Sequence, residues 1–387
     1  MSFCGNLCQT IYLRIEVFTM ERIVYILGAG FSAPLGLPVM SNFIEKSKDI
    51  YFNYPDKYRY FMNIYKMIKE VSYLKNFINS DLHNIEEILS ILEMGYFVSD
   101  NNKSIKRYKQ FLKDVIEFYT PKPTIDRLKQ NKHQWTDCCF GEDKKINLYG
   151  KFLSNLLQIK LCRVQDKRHP DFINYHSKLC DTPKDADYGV VTLNYDLVLE
   201  NIVDFINMHY ELKGSPVGLR LSLGKITSDN QFLVSKLHGS VDREVIPPTW
   251  NKSSANTNLI RISWRVAYEM LVSANQIRII GYSLPVSDSY IKYLLSVALK
   301  NSQHLRMIDV ITLDSDKHTE ERYNKLFTYP KFRFKNANFL NFLESAYKGD
   351  EIKTTVTTKK DLMHEYSISE FHMHSSILEK AHDEFMR

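Results

Sequence analysis

Five short clusters in this chain carry residue types that could do nucleotide chemistry. The first is "YILGAGFSAPLGLP", residues 25–38, where Gly28, Gly30 and Ala33 satisfy G-x-G-x-x-A directly after an apolar run. Glycines at that spacing allow a tight turn, and the helix N-terminus that follows presents N–H groups to a diphosphate. Gly28, Ala29, Gly30 and Ser32 are therefore the candidate cradle, although such a turn also serves close strand-to-helix packing without a ligand. The second cluster, "VTLNYD", supplies Asn194 and Asp196, and the third, "KLHGS", supplies His238. The fourth, "GYSLPVSD", contains Gly281, Ser283 and Asp288, and the fifth, "LRMIDVITLDSD", ends in Asp314. An amide offers both donor and acceptor, and an imidazole titrating near ~6.5 suits proton transfer at neutral pH. Asp196 could hold a ligand or cap the next helix, and Asp288 could cap "SYIKYLLSVAL".

Something must bring these clusters together. Each follows an apolar, β-branched segment: 21–30, 188–196, 230–240, 275–285 and 305–316. Continuous apolar runs with polar residues at their C-terminal ends are what a parallel α/β sheet produces, and such strand ends face a common crevice. The fold predicted is a Rossmann-like, doubly wound parallel sheet. About 150 residues separate the first two strands, far more than one crossover helix requires. The segments 58–78, 83–97, 105–119 and 146–165 space apolar residues at three and four, so a helical insert over about 42–185 is expected. Its many Tyr and Phe residues read as core packing. Residues 317–347 supply a further helix and strand. The C-terminal tail, 348–387, is read as helical, with Ser367 and Glu370 at capping-box spacing and His364, His372, His374 and His382 on a solvated face. Residues 1–19 form an N-terminal extension, leaving 20–347 as the nucleotide-binding domain.

A hydride-transfer enzyme should show a second strand ending in Asp or Glu ~20 residues after the glycine turn. The corresponding window, "SNFIEKSKDIYFNYPD", is charged and helical. That argues against an oxidoreductase.

Taken in order, "GAGFS…GLP", "TLNYD", "LHGS" and "GYSLPxxD" resemble the sirtuin-like family, and in particular its prokaryotic branch associated with defence against phage. "IPPTW" (246–250) and the W-x-x-A-x-x-x-L-x-x-A of 264–274 are similar to that branch as well. The sequence departs from deacylase sirtuins in two places. No cysteine occurs in 241–274, where their zinc ribbon would lie, and Val39-Met40-Ser41 stands where they carry Asp-Phe-Arg. The resemblance implies hydrolysis of NAD+ to nicotinamide and ADP-ribose, with NAD+ as substrate and no metal. It places Asn194 at the nicotinamide ribose or attacking water, His238 as proton acceptor and Asp196 at the ribose or loop. Gly281 and Ser283 would line the cleft, and Asp314 would reach the adenosine side. It further implies a gate on a costly activity: a homo-oligomer, or a partner such as a motor ATPase or a short Argonaute-like protein.

Bulk properties fit a soluble, cytoplasmic protein. With 387 residues, 44% hydrophobic and 25% charged, the chain has globular composition, and a net charge of +6 does not mark it as a direct nucleic-acid binder. No apolar run reaches the ~18 residues a membrane span needs. Six cysteines, none in C-x-x-C spacing, are read as reduced thiols, and the vicinal pair Cys138–Cys139 lacks the ligand spacing of a structural zinc site.

Overall fold

The computed structural model describes residues 20–73, 77, 84–99, 103–125, 135–180, 186–215, 218–222, 230–246, 257–285, 288–348, 354–360, 365–372 and 375–387. The N-terminal extension, residues 247–250 of "IPPTW", and His364 and His374 lie outside them.

The central sheet uses β1 (Glu21–Leu27), β4 (Ala186–Thr192), β6 (Arg220–Ser222), β7 (Gln231–Lys236), β8 (Gln276–Ile280), β9 (Met307–Thr312) and β10 (Phe332–Asn336). All neighbours are parallel, in the order β10-β9-β8-β1-β4-β7-β6. Without the edge strand β6, this is the Rossmann order, with the chain reversing direction across the sheet at β1. The predicted strands therefore form, and the loops after β1, β4, β7 and β8 emerge at one edge.

Strand alternation divides the core in two. Ile23, Tyr25 and Leu27 face a cluster with the helices Lys144–Leu157, Val198–His209 and Phe339–Ala346. Val24 and Ile26 face the helices Thr257–Ser273 and Ser289–Asn301 on the other side. A third cluster belongs to the insert helices Phe43–Asn53, Phe61–Ser72, Ile85–Ser99 and Lys103–Tyr119. There Phe61 and Phe111 meet edge to face at 4.8 Å, an arrangement that suits the aromatic quadrupole. Tyr195, Val241 and Val245 join this cluster, so the insert packs directly on the loops after β4 and β7.

Two stretches depart from their sequence patterns. The 146–165 segment is helical only to Leu157; Gln158 turns left-handed (φ 52°) and β2, Ile159–Asp166, begins. The tail contains β11 (Thr354–Lys360) and β12 (Glu365–His372) before its helix, Ser375–Met386. Ser367 and Glu370 are therefore strand residues opposite Gln165 and Cys162, not a helix cap. With β3 (Ile173–Leu179) and β5 (Glu211–Leu212) these strands build a second sheet, β11-β12-β2-β3-β5. Tertiary pairing between segments some 200 positions apart overrides local helical periodicity here.

The tail helix is anchored by buried charge. Tyr25, Arg278, Asp309 and Arg333 stand side by side across β1, β8, β9 and β10. Glu379 grips Arg278 with both carboxylate oxygens, at 2.9 and 2.5 Å, and also accepts from the Tyr188 hydroxyl. His382, read from sequence as solvated, is fully buried, with Nε2 2.8 Å from Asp309. Burial and the neighbouring Arg278 push its imidazole down to about 4, so it is neutral and donates to Asp309. Burial works against the Asp309 charge, yet the hydrogen bonds from Arg333 and His382 hold it below the usual carboxylate value.

Candidate active site

The glycine turn after β1 is locked to the turn after β8. Gly28 N–H donates to Ile280 O, and Gly30 N–H donates to Gly281 O at 2.7 Å. A Cβ on Gly281, whose φ is +62°, would lie 2.2 Å from the Gly30 carbonyl carbon and the Phe31 nitrogen. A Cβ on Gly28 would lie 2.6 Å from that of Tyr282. These glycines allow two backbones to touch, the packing role that G-x-G-x-x-A leaves open. Gly30 spends its N–H on this contact and does not line the cavity, whereas Gly28, Ala29 and Ser32 do. The turn continues into a helix of only four residues, Ala29–Ser32.

Asn194 reaches this turn from the loop after β4. Its Nδ2 donates to Gly28 O at 2.9 Å and to Ser32 Oγ at 3.2 Å, which fixes the amide within the glycine motif. Asp196 Oδ1 accepts from Val198 N–H at 3.1 Å, so it supports the start of the helix Val198–His209 while also lining the cavity. Lys236, at the end of β7, ties down the same loop through Asp196 O at 2.6 Å and Glu200 at 2.9 Å. His238 follows within a turn closed by Ile246 N–H to His238 O. Gly239 (φ +74°) makes that turn possible, since a Cβ there would lie 1.9 Å from Glu244 O.

These loops enclose a cavity of about 330 Å³, within the ~300–1,000 Å³ usual for ligand pockets. Its walls include Asn194, Asp196, His238, Gly281 and Ser283, and it is closed by Met40, just before the insert, and by Phe43, Asn84 and the first residues of the helix Ile85–Ser99, Ile85 and Glu86. Asp288 also lines it, 3% exposed, with Oδ2 4.0 Å from His238 Nε2 and accepting from Tyr282 Oη at 2.9 Å. The Asp288 side chain makes no capping bond to the helix Ser289–Asn301, so the cap expected there is replaced by a contact inside the cavity. Tyr195 stacks obliquely near His238, with ring centroids 6.0 Å apart, and its hydroxyl donates to Glu86. Burial, reinforced by Glu86 for Tyr195 and by Asp288 for Tyr282, pushes both phenols well up. Both remain protonated donors at neutral pH.

Of the residues singled out from sequence, Gly28, Ala29, Ser32, Asn194, Asp196, His238, Gly281 and Ser283 meet around one cavity. Asp314 does not reach it: its two oxygens accept from Thr319 and Glu320 N–H, starting the helix His318–Leu326. Tyr195, Tyr282, Lys236 and Glu86 are site residues that pattern reading passed over. The first three sit inside or beside quoted motifs, while Glu86 is marked only by the Asn84 cap, which accepts from Glu86 and Glu87 N–H. Among the described residues no group of three or more His, Cys, Asp or Glu is placed to hold a metal, and no helix is long and apolar enough to cross a membrane.

The solved structure of Sir2Tm bound to a propionylated peptide aligns over 86% of this chain and 95% of its own, at 13% identity and a TM-score of 0.32. SIR2 in complex with the inhibitor EX-527, 2'-O-acetyl-ADP-ribose and a deacetylated p53 peptide aligns over 85% and 94%, at 12% identity and a TM-score of 0.30. Superpositions this loose transfer no residue roles. No curated protein sequence matches significantly. Residues 189–335, from β4 nearly to the end of β10, match the family model described as the SIR2-like domain. That match supports a sirtuin-like assignment for the part of the chain that carries Asn194, His238 and Asp288.

Proposed function

We propose that this protein is an NAD+ glycohydrolase that cleaves NAD+ to nicotinamide and ADP-ribose. The observation that carries the reading is the meeting of Asn194 and His238, from loops after separate strands, in one cavity floored by the glycine turn. Nicotinamide is a cationic leaving group, so its glycosidic bond breaks through an oxocarbenium-like state. The site has to orient the sugar, exclude bulk water and stabilise that charge. Asn194, fixed on Gly28 and Ser32, orients the ribose or the incoming water. Water adds to C1′, nicotinamide departs neutral with the bonding electrons, and His238 accepts the proton that water sheds. The carboxylates of Asp196, Asp288 and Glu86 in the walls favour a developing cation. A cavity of this size takes the nicotinamide riboside half, with Ala29 and Ser32 next to the diphosphate and the adenosine half extending beyond.

Used without restraint, such an activity would empty the cell of NAD+. We assign it to antiphage defence by NAD+ depletion in the cytoplasm. Oligomerisation or a partner, such as a motor ATPase or a short Argonaute-like protein, would act as the gate through the insert that walls the cavity. The test is mass spectrometry of nucleotides after incubation with NAD+, with and without candidate partners. Nicotinamide and ADP-ribose should appear, and Asn194→Ala or His238→Ala should lower the rate by about two to four orders of magnitude. Full activity in both variants refutes the assignment. Stoichiometric binding of unchanged NAD+ would make the chain a sensor instead.

A further inference from the structure

We infer that Asp288 is a positioning residue: its carboxylate, itself anchored by the Tyr282 hydroxyl, holds the His238 imidazole and stabilises its protonated form. The inference rests on the hydrolase reading for its role in turnover, but the contact is a property of the chain alone. Asp288 and His238 are each 3% exposed, and their facing atoms, Oδ2 and Nε2, are 4.0 Å apart. Catalytic hydrogen bonds are often long until substrate closes a site, so this separation is what an open form of the pair would show. Tyr282 is bound to the same carboxylate oxygen at 2.9 Å and stays protonated, which fixes the carboxylate from behind.

The placement has a purpose in the fold. Asp288 stands where a helix cap would, yet its side chain makes no capping bond. The GYSLPVSD segment thus delivers a carboxylate to the imidazole of a different strand's loop. Tyr195 also faces His238, 6.0 Å away between ring centroids and bound to Glu86 of the insert, and Asp196 lines the same cavity. Asp288 is the acid whose carboxylate oxygen lies against the ring nitrogen, at 4.0 Å. An imidazole that takes a proton in a dry cavity needs a fixed negative charge beside it. It also needs its tautomer set, with Nε2–H toward the acid.

The test is NMR of the full chain labelled with 15N-histidine, with the His238 signals assigned by difference against His238→Gln. In the wild type, neutral His238 should carry its proton on Nε2. In Asp288→Asn its pKa should fall by about one unit or more. The acidic limb of kcat/KM for NAD+ should move down by the same amount, and Tyr282→Phe should move both less. A proton on Nδ1, or a pKa within about 0.3 unit of wild type in Asp288→Asn, overturns the inference. If Asp288→Asn does not fold, the wild-type tautomer decides alone. If the wild type leaves NAD+ intact, the hydrolase reading fails while the NMR still judges the pair.

Discussion

Replacing Glu379 with alanine should be among the most destabilising single changes in this protein, although it lies far along the tail. Arg278 is 1% exposed. Burial works against its charge, and Tyr25 and Glu379 hold the guanidinium protonated. Glu379 accepts both guanidinium nitrogens and the Tyr188 hydroxyl. Its loss leaves the buried cation, among the described residues, the Tyr25 hydroxyl and Gln276 Oε1 as hydrogen-bond partners. Breaking a buried pair by removing one partner costs about 3–5 kcal/mol, because the remaining charge is uncompensated. Urea unfolding followed by circular dichroism measures this as a lower midpoint. Glu379→Gln keeps the shape and an acceptor, so it should lose about half as much. Removing Arg278 as well, as Arg278→Met, should restore part of the loss, a coupling of at least about 1 kcal/mol in the double-mutant cycle. A Glu379→Ala midpoint equal to wild type, or strictly additive losses in the cycle, would refute the docked tail and the buried charge ladder together.

Other outcomes follow from the same contacts. Folded His382 titrates at about 4 rather than the ordinary 6.5. Between those values the unfolded chain binds a proton that the folded one does not. Stability should therefore fall as pH drops from about 6.5 to 4, by up to about 3 kcal/mol, and His382→Gln should flatten that slope in urea midpoints taken at pH 7 and 5. Gly281→Ala forces a Cβ onto Gly30 and Phe31 at positive φ. It should cost at least about 1–3 kcal/mol and abolish NAD+ turnover; a stable, active variant would mean the two turns are not interlocked. Lys236→Met frees the Asn194–Asp196 loop from Glu200 and should lower kcat at least about tenfold while changing the melting temperature by only a few degrees, read by parallel kinetics and calorimetry.

The chain's own pattern determined the parallel sheet, its five predicted strands and the gathering of Asn194 and His238 at one edge. Buried strands need continuous apolar runs, and their polar C-terminal ends announce themselves by composition. Helices form within 58–78, 83–97 and 105–119, where apolar spacing at three and four marks a buried face, but the same spacing over 146–165 carries a helix only to Leu157 before β2 begins. Tertiary structure alone decided the second sheet, because β2 and β12 pair across some 200 intervening positions and neither strand is distinctive in isolation. It also decided what individual polar residues do. Asp288 and Asp314 are both acids next to helix starts in sequence. One turns into the cavity toward His238 and the other spends both oxygens on backbone N–H groups. His382 reads as a solvated histidine on a charged helix, yet Asp309 on a strand more than 70 residues away receives it in the core. A side chain's type fixes which bonds it is able to make. Which bond it makes depends on what the folded chain places within about 3 Å, and that is decided by segments distant in sequence.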